Sequence, residues 1–212
     1  MRSKDLIDIS FPYYDDMAIY PNNPRYFCYK VSDLQNGDSC NVSRIELGTH
    51  TGTHLDAPSH FMQNGMTIDQ IPLDRINGKA RVLYIEDDVI TKDCLSRYSI
   101  EEEEIIIFRT SNSNMFEGSK VLESYVTLDY EGAQYLTHKK VKMIGIDYMT
   151  IERPKALREQ GKSVHHILLG AGIPILEALD LRNVDEGEYK LMCLPLKLSD
   201  ADGSPVRAVL SY

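Results

Sequence analysis

The amino-acid sequence predicts an α/β protein with a strand-rich mixed sheet and a few helices. Eight runs are rich in Val, Ile and Tyr, and most are bounded by Gly, Pro, Asn or Asp, as expected for strands. Helical periodicity is weaker and is found in two stretches. The 212 residues, 42% of them hydrophobic, include no repeat, low-complexity tract or long linker, which predicts one domain spanning residues 1–212.

The order of these patterns along the chain predicts the individual elements. A 3.6-residue period predicts helices at 130–139 and 163–170, and glycines at 170 and 172 are stop signals for the second helix. Several strands with a few interspersed helices are typical of a mixed α/β architecture. The predicted strands are 26–31, 41–48, 81–86, 105–110, 141–147, 173–179, 189–198 and 206–212.

Composition excludes several classes of partner. A formal charge of −9 disfavours both nucleic-acid backbones and anionic membranes, so a small molecule or a second copy of the chain is the expected partner. No apolar run approaches the ~20 residues of a membrane span. The polar, acidic opening MRSKDLIDISFPYYDD does not resemble a signal peptide, and the four cysteines form no CxxC pair. These features predict a cytoplasmic protein with free thiols.

Half of the six histidines fall within the stretch THTGTHLDAPSHF at 49–61. His50, His54, Asp56 and His60 would share one face of an extended chain. A straight strand would nevertheless separate the first from the third by roughly 20 Å, whereas ligands lie about 2.0–2.2 Å from a metal ion. A shared ion therefore requires the chain to bend, which Gly52 permits, and a bent loop after the strand at 41–48 is expected.

The residue types in this stretch suit a borderline divalent metal ion. Imidazole binds Zn²⁺, Fe²⁺ or Mn²⁺, and a carboxylate can bind one ion or bridge two. Three protein ligands leave room for a water molecule, whose pKa a metal can lower from ~15.7 to about 7. His60, beyond a proline, is placed to relay protons, with a fourth-ligand role as the rival interpretation. Core histidines that merely hydrogen-bond are the structural alternative.

A second cluster lies in SVHHILLGAGIPILEALDL at 163–181. On a helix, His165 and His166 point about 100° apart, so one of them at most is expected to face a site. Glu177 is in phase with Ile173 and Ile175, and would be buried if those isoleucines face the core. A half-exposed strand with Glu177 in solvent is the alternative.

The two clusters together resemble the metal-dependent cyclase/hydrolase family that includes bacterial kynurenine formamidases and isatin hydrolases. HTGTHLDAPSHF matches the motif HxGTHxDxPxHF without interruption, and the likeness extends through IDISFPYYDDMAIYPNNP, MTIDQIPLDRINGKARVLYIE and VKMIGIDYMTIE. The resemblance implies a swivelling β/β/α domain. It also implies a homodimer or homotetramer, with pockets completed by a neighbouring subunit.

By matching position, the resemblance implies that His50, His54 and Asp56 bind a first metal ion. Asp56 would also reach a second ion held by His165, and Glu177 would contact both. One or two divalent ions are implied, with Zn²⁺ as the first expectation and Mn²⁺ as the second.

The resemblance further implies that His60 is the general acid/base. Tyr20 falls where formamidases carry a substrate-contacting tryptophan, a residue type that this chain lacks entirely. We therefore expect a metal-dependent, arylformamidase-like hydrolase that cleaves a C–N bond of a small amide or cyclic amide with metal-activated water. The alternatives are a metal-dependent cyclase or lyase acting through an enolate, and a non-catalytic metal- or ligand-binding module.

Overall fold

The computed structural model describes residues 6–115, 120–154 and 162–212, so the first five residues of the opening segment lie outside the description. These ranges contain twelve strands, four α-helices and four short 3-10 turns. The strands are β1 Leu6–Asp8, β2 Phe27–Ser32, β3 Val42–Glu46, β4 His54–Asp56, β5 Gly78–Tyr84, β6 Val89–Ile90, β7 Ile105–Arg109, β8 Thr127–Leu128, β9 Met143–Ile146, β10 Ile175–Glu177, β11 Gly187–Pro195 and β12 Gly203–Ser211. The helices are α1 Lys92–Ser96, α2 Asn112–Met115, α3 Tyr130–His138 and α4 Val164–Gly170.

The principal sheet has eight strands in the order β1-β12-β11-β5-β7-β9-β10-β4, and β4 also pairs with β12. This extra pairing closes seven of the strands into a barrel-like ring, to which β1 is added at the edge of β12. Strands β5, β7, β9 and β10 run parallel to one another, whereas β4, β11 and β12 pair in antiparallel fashion. Closure of the ring leaves few unpaired strand edges.

Strands β7, β9 and β10 of the ring are buried on both faces, whereas β11 alternates buried and exposed side chains. Side chains such as Leu55, Ile107 and Leu176 form one apolar cluster, drawn from every strand of the ring, that fills its interior. The alternate side chains, including Phe108 and Ile144, form a second cluster with the helices packed outside. This double burial explains why IIIFR and MIGI are continuous apolar runs rather than alternating ones.

All eight predicted strands and both predicted helices are present. Helix α3 begins after Asp129, whose side chain accepts the backbone N–H of Gly132, and α4 begins after Ser163, which accepts that of His166. The strands β1, β4, β6 and β8 and the helices α1 and α2 were not predicted, because these elements of two to five residues do not stand within longer apolar or periodic runs. Within the described ranges, none of the helices has the length and apolar character needed to cross a bilayer.

Candidate metal centre

The stretch 49–61 bends before it enters the sheet. Gly52 has a φ of +62°, in the left-handed region, and a Cβ at this position would lie 3.0 Å from the ring of Tyr13. The chain then continues into β4, where His54 and Asp56 flank the interior-facing Leu55 and so share the outer face of the ring. The predicted bend at Gly52 is present. The expectation that the whole stretch forms a loop is corrected, because His54 and Asp56 lie on strand β4.

Strand β10 brings Glu177 to the same outer face. In the antiparallel pairing of β10 with β4, Glu177 lies opposite His54 and Ile175 lies opposite Asp56. Glu177 is 3% exposed, and its Oε1 accepts the backbone N–H of Ile151 at 2.7 Å. The buried orientation expected from phase with Ile175 is therefore confirmed, and the solvent-exposed alternative is wrong.

Helix α4 packs over this face and contributes one histidine. His165 is buried at 5% exposure, whereas His166 is exposed on an adjacent face of the helix. This arrangement agrees with the angular separation of adjacent helical residues. Of the two histidines, His165 is the one that reaches the carboxylates of β4 and β10.

One group of donor atoms, called here the first group, surrounds Oδ1 of Asp56. His54 Nε2 lies 3.4 Å from this oxygen and 3.5 Å from Oε2 of Glu177. His50 Nδ1 makes a 2.7 Å hydrogen-bond contact with the same Asp56 oxygen. A Cβ at Gly203 would lie 2.7 Å from the His50 ring, so this glycine allows the imidazole to pack against β12.

The opposite oxygens of the two carboxylates form the second group. His165 Nε2 lies 3.5 Å from Oδ2 of Asp56 and 3.4 Å from Oε1 of Glu177. Asp56 and Glu177 thus each present one oxygen to the first group and the other oxygen to the second. The sequence-predicted residues His50, His54, Asp56, His165 and Glu177 are all brought together here.

These donor atoms fit divalent metal ions. Oδ2 of Asp56 is buried and has no hydrogen-bond partner, a costly state for a carboxylate oxygen that a cation would relieve. Tetrahedral ligands at about 2.0–2.2 Å from an ion are roughly 3.3–3.6 Å apart. The contacts of His54 and His165 with the two carboxylates have this spacing, whereas the His50–Asp56 contact is shorter at 2.7 Å. Imidazole and carboxylate together match the preferences of Zn²⁺ and Mn²⁺.

The carboxylates govern the protonation of the buried imidazoles. Burial alone would lower the pKa of His54, but Asp56 and Glu177 raise it to about 10. Burial would also lower the pKa of His165, but the carboxylates Asp56, Glu152 and Glu177 outweigh this effect and hold the pKa well above its ordinary value. Burial raises the pKa of Asp56, yet the imidazoles, His50 first, hold it well below its usual range. The centre is therefore a strongly cation-attracting environment.

His60 lies beside these groups. It ends the 3-10 turn Pro58–His60, and its ring stacks on that of His50 with centroids 3.8 Å apart. Its Nδ1 is 3.4 Å from Oδ2 of Asp202. Burial lowers the pKa of His60, so its imidazole is neutral near pH 7, in contrast to His54.

Two acidic residues of the site were missed by the sequence analysis. Asp202 Oδ2 lies 3.0 Å from Nε2 of His50, and Glu152 Oε1 lies 2.8 Å from Nδ1 of His165. Asp202 sits in a turn before β12, where acidic residues are common for unrelated reasons. Glu152 ends the matched segment VKMIGIDYMTIE, and only its position in that segment could have drawn attention to it.

A cavity of about 280 Å³ opens over the donor atoms. Tyr20 lines it, half-buried, together with Phe61, whose ring stacks on that of His165. A larger cleft of about 570 Å³ lies against the β2–β3 hairpin and is lined by acidic, aromatic and apolar residues. The smaller cavity is the candidate binding site because the histidines and carboxylates face it.

Comparison with known proteins gives a consistent result. The Cyclase family matches residues 7–153. A kynurenine formamidase from Bacillus thuringiensis subsp. konkukian is 35% identical over 212 residues, which cover 99% of each chain. The chain belongs to the Cyclase family.

Solved structures of Cyclase-family proteins have the same fold. One described as a potential metal-dependent hydrolase with cyclase activity is 34% identical, with a TM-score of 0.83 over 97% of this chain and 96% of its own. Isatin hydrolase A from Labrenzia aggregata, 21% identical, aligns with a TM-score of 0.84 over 97% of this chain and 92% of its own, a likeness of fold alone. The predicted α/β, strand-rich swivelling β/β/α fold is confirmed.

Proposed function

We propose that this protein is a metal-dependent hydrolase that cleaves the C–N bond of a small aryl formamide or related amide. The observation that carries the proposal is the arrangement of Asp56 and Glu177, each of which directs its two oxygens toward two separate sets of imidazoles. The kynurenine formamidase relative, 35% identical along its whole length, supports the choice of reaction.

The residues of the first group, His50, His54, Asp56 and Glu177, would hold one divalent ion, and the second group would add His165 for another. Zn²⁺ is the first expectation and Mn²⁺ the second. When bound, such ions supply Lewis-acid polarisation of the amide carbonyl and activation of water near neutral pH. The protein residues fix the positions of these charges in a buried environment, where electrostatic interactions are strong.

His60 is the proposed general acid/base. Its ring lies at the edge of the donor groups, and its lowered pKa keeps the imidazole neutral and able to accept a proton near pH 7. The protonated ring would then donate that proton to the departing nitrogen. Asp202, 3.4 Å from Nδ1, would stabilise the imidazolium between these two steps.

Substrate recognition is assigned to the rim of the 280 Å³ cavity. Tyr20 and Phe61 offer aromatic surfaces for a planar ring. Arg153 is the single Lys or Arg among the described residues that line the cavity, and it is exposed at the rim. A substrate bearing a negatively charged substituent would pair with this guanidinium.

The exposed β2–β3 hairpin supports a homo-oligomeric protein, a homodimer or homotetramer. Phe27, Tyr29 and Val31 of β2 are 51%, 45% and 58% exposed, and Phe27 and Tyr29 lie opposite Glu46 and Arg44 of β3. Exposed aromatic side chains beside an arginine are typical of protein–protein contacts.

We also propose that the protein is cytoplasmic and that residues 1–212 form one domain. The four cysteines are free, which supports the cytoplasmic location.

The test of this function is turnover by metal-loaded protein. Formylated aromatic amines, cyclic imides and lactones would be supplied in ¹⁸O-labelled water, and products analysed by mass spectrometry. Hydrolysis places one labelled oxygen in the released acid. Product formed without label would instead indicate the cyclase or lyase alternative. Metal binding with no turnover of any substrate would favour the non-catalytic binding module.

A further inference from the structure

Each imidazole of the metal centre has a second nitrogen that faces away from the donor groups, and the three differ in what that nitrogen contacts. His54 Nδ1 lies 2.8 Å from the neutral carbonyl of Gly52. His50 Nε2 lies 3.0 Å from Asp202, whose side chain is 45% exposed. His165 Nδ1 lies 2.8 Å from Glu152, whose side chain is 5% exposed. The second group therefore has its one histidine backed by a buried carboxylate.

The Glu152 carboxylate uses both oxygens to connect the histidine to the start of its helix. Oε2 accepts the backbone N–H of Val164 at 2.6 Å, and the hydroxyl of Ser163 approaches it at 3.2 Å. Oε1 faces His165 Nδ1, although obliquely, so the contact is an ion pair rather than a straight hydrogen bond. A single buried side chain thus contacts both the first residue of α4 and the ring of His165.

We propose that Glu152 is a positioning residue for the second metal ion, an inference that rests on the proposed metal centre. By keeping the proton on Nδ1 of His165, Glu152 directs the Nε2 lone pair toward Asp56 and Glu177. A carboxylate behind a ligating imidazole also increases the basicity of that ligand, and loss of such a partner weakens metal binding by about 10- to 100-fold. The first ion depends on His50 and His54 and does not share this support.

Glu152→Gln is the informative substitution because it preserves size while removing one acceptor. The glutamine has a single carbonyl oxygen, and the donors Val164 N–H and His165 Nδ1–H both require one. Either the helix start or the imidazole loses its partner. Glu152→Asp retains the charge and is the conservative variant for rescue. Ser163→Ala removes the cap of α4 and one contact to Glu152, but it leaves both carboxylate oxygens available to Val164 and His165, and so controls for destabilisation of the helix.

The experiment is a Zn²⁺ titration of chelator-stripped protein against a competing chromogenic chelator, with bound metal counted by elemental mass spectrometry. We expect wild type and Ser163→Ala to bind two ions per chain. Glu152→Gln should keep the first and bind the second 10- to 100-fold more weakly, with Glu152→Asp intermediate. In ¹⁵N spectra of the Zn²⁺-loaded protein, His165 should be protonated at Nδ1 in wild type and lose this preference in Glu152→Gln.

Two results would overturn the inference without affecting the proposed function. One is binding of both ions by Glu152→Gln at wild-type affinity. The other is an equal weakening in Ser163→Ala, which would assign Glu152 a purely structural role. A folded wild-type chain that binds no Zn²⁺ or Mn²⁺ would instead overturn the proposed function itself. Thermal unfolding followed by circular dichroism checks that each variant is folded.

Discussion

His54 and Glu177 are direct cross-strand partners on β4 and β10, and their Nε2 and Oε2 atoms lie 3.5 Å apart. The backbone register of two short strands therefore fixes the separation of a candidate ligand pair. Side chains opposite each other on one face of a sheet have little freedom to move apart. Such a frame is more rigid than a loop and is well suited to preorganise a metal site.

Asp56→Asn should abolish binding of both metal ions. Each oxygen of Asp56 faces a different donor group, and an amide nitrogen cannot replace either one as a ligand. Metal content measured after dialysis against buffer containing Zn²⁺ tests this expectation. Asp185→Asn is the matched control, since the Asp185 side chain is 95% exposed on the surface. Retention of two ions by Asp56→Asn would refute the bridging role.

His60→Gln should lower kcat by about 10²- to 10⁴-fold, the usual contribution of a general acid/base, while both metal ions remain bound. The stacked position of the ring beside His50 places it next to the donor groups without making it part of either. His138→Gln, at an exposed position at the end of α3, provides the control. Loss of one ion in His60→Gln would make His60 a ligand, and unchanged kcat would remove it from the reaction.

Arg153→Gln should raise KM about tenfold for an aryl formamide that carries a carboxylate, because a charge-assisted contact of roughly 1.5 kcal/mol is lost. The KM of a neutral aryl formamide should stay within about twofold of wild type, since no charged contact is involved. Steady-state kinetics with both substrates provide the comparison, and Arg97→Gln, whose side chain is 56% exposed, serves as the control. Equal effects on the two substrates would argue against recognition of a negative charge.

The metal-free protein should lose stability as pH rises from about 6.5 toward 10. The pKa of His54 is raised in the fold to about 10 from an ordinary value of 6.5, so the folded state holds a proton that the unfolded state releases across this range. The stabilisation is complete below pH 6.5 and is lost as pH approaches 10. Melting temperatures of chelator-treated protein across this range test the prediction. His54→Gln should flatten the profile, and an unchanged slope in that variant would contradict the assignment.

Val31→Lys should shift the protein toward monomer. Val31 lies in β2 of the exposed β2–β3 hairpin, on the same strand as the exposed rings of Phe27 and Tyr29, and a lysine there would bury an unpaired charge in any contact formed by that hairpin. Light scattering coupled to gel filtration measures the mass. Leu73→Lys, at a residue of similar exposure (60%) on a separate 3-10 turn, is the control. An oligomer that survives Val31→Lys would place the interface elsewhere.

The sequence by itself determined eight of the twelve strands in the described residues, the two principal helices and the histidine-rich stretch of the candidate metal centre. Apolar runs bounded by Gly, Pro, Asn and Asp are local signals, and they identified these eight strands. The spacing of His50, His54 and Asp56 also indicated a metal, because side chains so close along the chain need only one bend to meet. The Gly52 turn supplies that bend.

Only the tertiary structure decided how the distant residues join this cluster. Register between β4 and β10 sets Glu177 opposite His54, and the packing of α4 on the outer face selects His165 over His166. Glu152 and Asp202 were not recognised because acidic residues in turns and at strand ends have many uses. The Asp202–His50 contact depends on the pairing of β12 with β4, and the Glu152–His165 contact depends on the packing of α4 beside the segment that follows β9. Local periodicity encodes neither arrangement.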